Sequence, residues 1–217
     1  SILLKLKSKK GIKMYYYDFE KFKKDIHANT RYRNDSVVSL NSISLGRKNN
    51  VYINGDLYKT TDTFHTHLAQ KLSIPMIYYR KMMKESRELL SYNVNTWLGK
   101  AKNQTQVLLR SHIKPSDNKY RFLSWHNTTK TARGLLSNRY KIMDNAELLT
   151  SLEDVLEQAQ VLSAYHDGEI TNIKIRFPSL IDEIKQGDTV YGGLVLRNSE
   201  LGFSSISVTS FIYRLVC

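Results

Sequence analysis

The residues of this chain best suited to chemistry are cations spaced among aromatic rings. From Gln106 to His126 the pattern predicts two paired strands, 106–112 and 120–126, joined by the polar turn 114–119. Period two sets Arg110 beside Leu108 and His112, and sets Arg121 beside Leu123 and Trp125. Tyr120, Phe122 and Trp125 then interleave with Lys114, Lys119, Arg121 and Lys130. Such a surface grips phosphates with its cations and stacks unpaired bases on its rings. The competing reading is a half-buried sheet with its rings in the core. Directly downstream, Lys130, Arg133, Arg139 and Lys141 stand among the hydroxyls of Thr131, Ser137 and Tyr140. Arginine forks match phosphate oxygens bidentately; pairing with the acids of 144–157 fits equally well. A third pattern resembles a helix-turn-helix: Leu68 to Leu72, a break at Ser73-Ile-Pro75, then a helix carrying Tyr78, Tyr79, Arg80, Lys81 and Lys84. Its alternative is a plain helical hairpin whose Met and Tyr side chains fill the core.

Motifs for catalysis are missing. There is no glycine-rich phosphate loop, no Gly-x-Ser-x-Gly elbow and no His-Glu-x-x-His. His65 and His67 sit two apart on a predicted helix and so point in different directions, which disfavours a shared metal. Asp182 and Glu183 read as a solvated turn. The single cysteine, Cys217, can form neither an intrachain disulfide nor a cysteine-rich zinc site. The expectation is a protein that is not an enzyme and carries no cofactor or metal.

The elements that must position these residues follow from periodicity. The 217 residues, 41% hydrophobic and 24% charged, suffice for a real core. Ile2 to Lys7 and Val37 to Leu45 read as strands, and Asn54-Gly55 marks a hairpin between 51–53 and 57–58. Residues 60–100 read helical, with Phe64, Leu68 and Leu72 on one face and Leu89, Leu90, Val94, Trp97 and Leu98 on another. Asp144, with Glu147 three residues on, predicts a capped helix running to about Ser163. Strands are expected at 170–177, 189–196 and 204–216. Grouped strands and grouped helices predict an α+β fold with mostly antiparallel sheets.

Charge narrows the partner. Net charge is +13, carried as +8 over 1–59, +11 over 60–141 and −6 over 142–217. A basic body of this kind predicts nucleic acid, because cations displace counterions condensed on phosphates. Single-stranded DNA is favoured by the rings, and the acidic last third is expected to pair with a basic surface of a second copy in a homo-oligomer. No membrane span is expected, and a reduced, cytoplasmic setting in a bacterial host follows. The alternatives are a duplex-DNA regulator reading through 75–84 and a phage inhibitor that binds a host protein.

Six strings carry a family resemblance. They are Leu72-Ser-Ile-Pro-Met-Ile-Tyr-Tyr-Arg80, Asn93-Val-Asn-Thr-Trp97-Leu98, Leu108-Leu-Arg110, Leu135-Leu-Ser-Asn-Arg-Tyr-Lys-Ile-Met-Asp-Asn145, Gly193-Leu-Val-Leu-Arg-Asn-Ser-Glu200 and Tyr213-Arg-Leu-Val-Cys217. In this order they resemble a phage- and plasmid-encoded family known as a domain of unknown function, over about 60–217. The resemblance implies a mobile-element setting, with strand annealing, replication or recombination as expected roles, and a chain continuing beyond Cys217. Asn138 stands where an acid would precede Arg139, which weakens a catalytic carboxylate there. The expected organisation is a basic strand and hairpin region at 1–59 and an α+β core at 60–217.

Overall fold

The computed structural model describes residues 5–8, 11–16, 18–101, 105–115, 128–185 and 188–214. The fold is α+β and its sheets are mostly antiparallel. The chain forms two compact units: a central one, Tyr32–Lys141, and a terminal one, Ser1–Arg31 with Ile142–Cys217. The division therefore falls at 31/32 and 141/142 rather than at 59/60.

The central unit holds a six-stranded sheet. Its strands are β3 (Ser36–Ser39), β4 (Ile43–Leu45), β5 (Asn50–Ile53), β6 (Asp56–Thr60), β7 (Gln106–Pro115) and β8 (Thr128–Ser137), in the order β3-β7-β8-β6-β5-β4. All neighbours are antiparallel except β6 and β8. The expected strand 37–45 is broken by a 3₁₀ turn at Leu40–Ser42. The Asn54-Gly55 hairpin forms as expected, with both residues at positive φ (51° and 83°).

The helical stretch resolves into α2 (Asp62–Lys71), α3 (Met76–Glu85) and α4 (Arg87–Gly99). Thr61 caps α2 by accepting from the Phe64 N–H at 3.2 Å, and donates to the Arg133 carbonyl at 2.8 Å, which ties the helix to β8. The helix ends in a Schellman motif. Ser73 takes φ 55°, Ile74 N–H reaches the Ala69 carbonyl and Ser73 N–H the Gln70 carbonyl. Phe64, Leu68, Tyr79, Leu90, Val94 and Leu98 pack with Val107, Leu109 and Leu135 of the sheet. Burial of each such side chain contributes about 1.5–3 kcal/mol. Leu89 and Trp97, expected on an apolar face, are instead exposed.

The terminal unit is a second six-stranded sheet, entirely antiparallel. It joins β1 (Lys5–Ser8), β2 (Gly11–Tyr16), β9 (Gln160–His166), β10 (Thr171–Lys185), β11 (Asp188–Asn198) and β12 (Ser207–Arg214), in the order β1-β2-β9-β10-β11-β12. One face packs on α1 (Phe19–Thr30), α5 (Asn145–Ser151) and α6 (Glu153–Glu157), burying Phe22, Ile26, Leu149, Leu156, Ala164, Ile173, Ile175 and Leu196. The predicted helix to Ser163 is corrected here. It breaks after Ser151, ends at Glu157, and Val161 and Leu162 belong to β9. The Asp144 side chain does not cap α5; Glu200 Oε1 accepts from the Asn145 N–H at 3.1 Å instead. Buried Asn198 donates to the Met143 carbonyl and to Asn145 Oδ1 (2.9 and 3.0 Å), and Ser199 Oγ donates to the Glu169 carbonyl at 2.6 Å. The Asn-Ser-Glu string of the resemblance thus forms the joints of this unit.

Candidate nucleic-acid interface

Among the described residues, the cations singled out above do not all lie on one surface. Arg110 lies on β7 with no exposure, and its Nε sits 3.0 Å from Asp35 Oδ2. Asp35 also receives Arg33 Nε at 3.2 Å and the Ser111 N–H at 3.1 Å. Arg110 is therefore a buried structural cation, a correction to its expected hold on phosphate, because an ion pair taken out of water has no face left for a solvated ligand. Arg133 is the extra residue of a bulge in β8 and donates to His112 Nε2 at 3.1 Å. Lys130 lies 2.6 Å from Asp56 and 5.6 Å from the Tyr58 ring centre. Arg110 and Lys130 also occupy opposite faces of the sheet, since Lys130 pairs with Ile113 and Arg110 alternates with it along β7. Arg139 is exposed and Tyr140 half-buried in the turn after β8. Arg80, Lys81 and Lys84 are exposed on α3, where Lys81 lies 4.0 Å from Glu85. Lys119, Tyr120, Arg121 and Trp125, with the expected strand 120–126, lie outside the described residues. Among the described residues, β7 pairs with β3 on one side and β8 on the other.

The two histidines are core residues. Thr60 Oγ1 donates to the Asn49 carbonyl at 2.8 Å, so it accepts from His65 Nε2 at 2.8 Å. His65 Nδ1 is then the acceptor for the Tyr79 hydroxyl, also at 2.8 Å. His67 Nδ1 accepts the Leu135 N–H at 3.2 Å. Burial is the main force holding both rings neutral: each has a pKa lowered to about 4, with Arg87 adding to the effect on His65 and Lys71 to that on His67. Burial also pushes the Tyr79 phenol above its ordinary value. Among the described residues, no three His, Cys, Asp or Glu side chains are grouped to hold a metal, and no helix is long and apolar enough to cross a membrane.

A cationic and aromatic surface does assemble elsewhere. It is the face of the terminal sheet opposite its helices. Because Ile173 and Ile175 face the core, Asn172, Lys174 and Arg176 face the other way. Register then sets Arg197, Val195, Gly193 and Tyr191 beside them on β11, and Thr209, Phe211 and Tyr213 on β12. Tyr165 and Ser163 extend the face onto β9. The Arg176 guanidinium lies 4.6 Å from the Tyr191 ring centre and 5.7 Å from that of Tyr213, and its Nε donates to Gln160 Oε1 at 2.6 Å. Lys174 Nζ sits 4.3 Å from the Phe211 ring centre. Asn172 donates to the Tyr165 hydroxyl at 2.8 Å.

Gly193 makes this packing possible. A Cβ there would lie 2.5 Å from Phe211 Cζ and 2.5 Å from the Ile175 carbonyl oxygen. Only a residue without a side chain lets the Phe211 ring cross β11 toward Lys174. Charge is sorted along with shape. No Asp or Glu occurs in β9, in β10 before Asp182, in β11 after Asp188, or in β12. Three of the five cations of 142–217 nevertheless fall on this face. Rings held by cations lose little further freedom when a ligand arrives, and each such contact is worth about 0.5–1 kcal/mol at an exposed site. The signal available from sequence was the alternation Asn-Ile-Lys-Ile-Arg at 172–176 and Phe-Ile-Tyr at 211–213.

Residues 132–217 match a family described as a domain of unknown function (DUF932). That span includes all of β9 to β12 and bears out the resemblance to an uncharacterised family there. No curated protein and no solved structure matches the chain.

Proposed function

We propose that this protein binds single-stranded nucleic acid, DNA in the first instance, on the helix-free face of its terminal sheet. The observation that carries the reading is Arg176 set between Tyr191 and Tyr213, beside Lys174 on Phe211, in strand segments free of acids. Flat rings on an extended sheet stack on unpaired bases, while a duplex keeps its bases stacked on one another. Lys174, Arg176 and Arg197 supply the charge for phosphates.

The test is fluorescence anisotropy with a labelled oligo-dT as salt is raised. Three neutralised phosphates give a log–log salt slope of about −2 for a single strand, or roughly a 20-fold loss of affinity from 50 to 200 mM salt. Lys174→Gln with Arg176→Gln is expected to reduce the slope to about −0.7, that of one remaining phosphate contact. Phe211→Ala and Tyr213→Ala are expected to weaken binding by about 1–3 kcal/mol per base lost, with the slope unchanged. Absence of binding at 50 mM salt, or binding indifferent to all four substitutions, overturns the reading. A preference for duplex that is lost with Arg80→Ala would transfer the site to α3.

A further inference from the structure

The four sheet edges of this molecule are not treated alike. An open edge displays unpaired backbone groups and invites another strand, and proteins blunt such edges with shortness, lysines or covering groups. β3 has only four residues. β4 has three, and Asn95 of α4 covers it with an amide mimic of a strand, accepting the Leu45 N–H at 2.7 Å and donating to the Leu45 carbonyl at 3.1 Å. β1 is Lys-Leu-Lys-Ser, with two lysines in four residues. Among the described residues, β12 has none of these devices. Its eight residues, Ser-Val-Thr-Ser-Phe-Ile-Tyr-Arg, pair with β11 in unbroken register, contain no proline or glycine, and leave Val208 and Ile212 exposed at 58% and 74%.

We propose that β12 is a pairing edge for β12 of a second copy, joined antiparallel about a two-fold axis through Ser210. The strand is complementary to itself in that register. Val208 of each copy falls opposite Ile212 of the other on one face, with the two small Ser210 side chains between them. Thr209 falls opposite Phe211 on the other face. Electrostatics permit a like partner: the only charge on the strand, Arg214, sits at its end and is held bidentately by its own Asp188 at 2.8 and 2.7 Å. Two such strands meet without repulsion. The contact is apolar and isologous, unlike the head-to-tail pairing of acidic and basic surfaces expected from charge alone. A two-fold axis perpendicular to the sheet keeps both cationic faces on the same side, so the dimer would double the surface proposed above. The dimer itself does not depend on nucleic-acid binding.

The experiment is mass measurement of the full chain by light scattering in the absence of nucleic acid, where twice 25.2 kDa is expected. Ile212→Lys is expected to return the mass to that of the monomer, and it touches a side chain too exposed to matter for the core. In a Cys217→Ser background, Ser210→Cys is expected to form a disulfide between copies on oxidation, because residues facing across an antiparallel pair have Cα atoms about 4.5–5.5 Å apart, within disulfide reach. Val208→Cys alone is expected to form none. A monomer at every concentration, or a dimer indifferent to Ile212→Lys, overturns the pairing. Crosslinking through Val208→Cys but not Ser210→Cys overturns the register.

Discussion

Acidification should destabilise the central unit through its two buried histidines. His65 and His67 are 4% and 7% exposed, and burial lowers each pKa to about 4. Unfolding exposes both rings to water and returns them to about 6.5. The unfolded chain therefore takes up protons that the folded chain refuses. The stability contributed is fully present above pH 6.5 and is lost as pH falls from 6.5 toward 4. At pH 5 each histidine costs about 2 kcal/mol relative to neutral pH, or about 4 kcal/mol for the pair. Against a typical total of about 5–15 kcal/mol that is a large fraction. Trp97 lies on α4 of this unit, so in a Trp125→Phe background tryptophan fluorescence reports on it. With a urea slope near 2 kcal/mol/M, the denaturation midpoint should drop by about 2 M between pH 7.5 and pH 5. His65→Gln with His67→Gln substitutes amides that do not titrate, and should flatten that dependence whatever it does to stability at pH 7.5. A midpoint constant from pH 7.5 to 5, or an undiminished pH dependence in the double variant, would refute the reasoning.

Two further substitutions test the packing. Gly193→Ala should destabilise the terminal unit by about 1–3 kcal/mol, read as a lowered thermal midpoint. Adding Phe211→Ala should restore only part of it, since the clash with the Ile175 carbonyl remains. Asp35→Ala should cost about 3–5 kcal/mol by tryptophan fluorescence, because it leaves the Arg110 guanidinium buried without that carboxylate. Adding Arg110→Met should recover most of the loss.

Local signals in the sequence were legible wherever one residue type dictates one backbone state. Asn54-Gly55 required a hairpin, and Ser73-Ile-Pro75 required a helix end. The hydrophobic period at 64–72 required a buried helical face, and all three are present. The pattern failed where an apolar run is compatible with two periods. Leu148 to Leu162 reads as one helix, yet tertiary pairing with Thr171–Arg176 draws 160–166 into the sheet. Helix α1 has a weak signal, because charged residues fill most of its first two turns. Phe22 and Ile26, four apart, were its core stripe. Arg110 was misjudged for a related reason. Alternation places it correctly on the face opposite Leu109, but only the fold brings Asp35, 75 residues earlier, against it.

Net charge by segment conceals this cationic face for a reason that holds for any sheet. A strand sends successive residues to opposite faces, so a stretch can be acidic in sum and cationic on one side. In residues 142–217, acids Glu147, Glu153, Asp154 and Glu157 belong to α5 and α6, and Asp167 and Glu169 to the turn before β10. The cations Lys174, Arg176 and Arg197 lie on the face turned away from those helices. On the helical side, Lys21, Lys23 and Lys24 of α1 offset Glu20 and Asp25, but with α5 and α6 the helices still sum to −3, so the terminal unit is more negative on its helical side than on its sheet side. A polyanion approaching such a body is repelled from one side and drawn to the other, which orients it before contact. Reversing that polarity should abolish binding more completely than neutralising it. Lys174→Glu with Arg176→Glu puts like charge where the proposed strand would lie, whereas the glutamine pair only removes attraction.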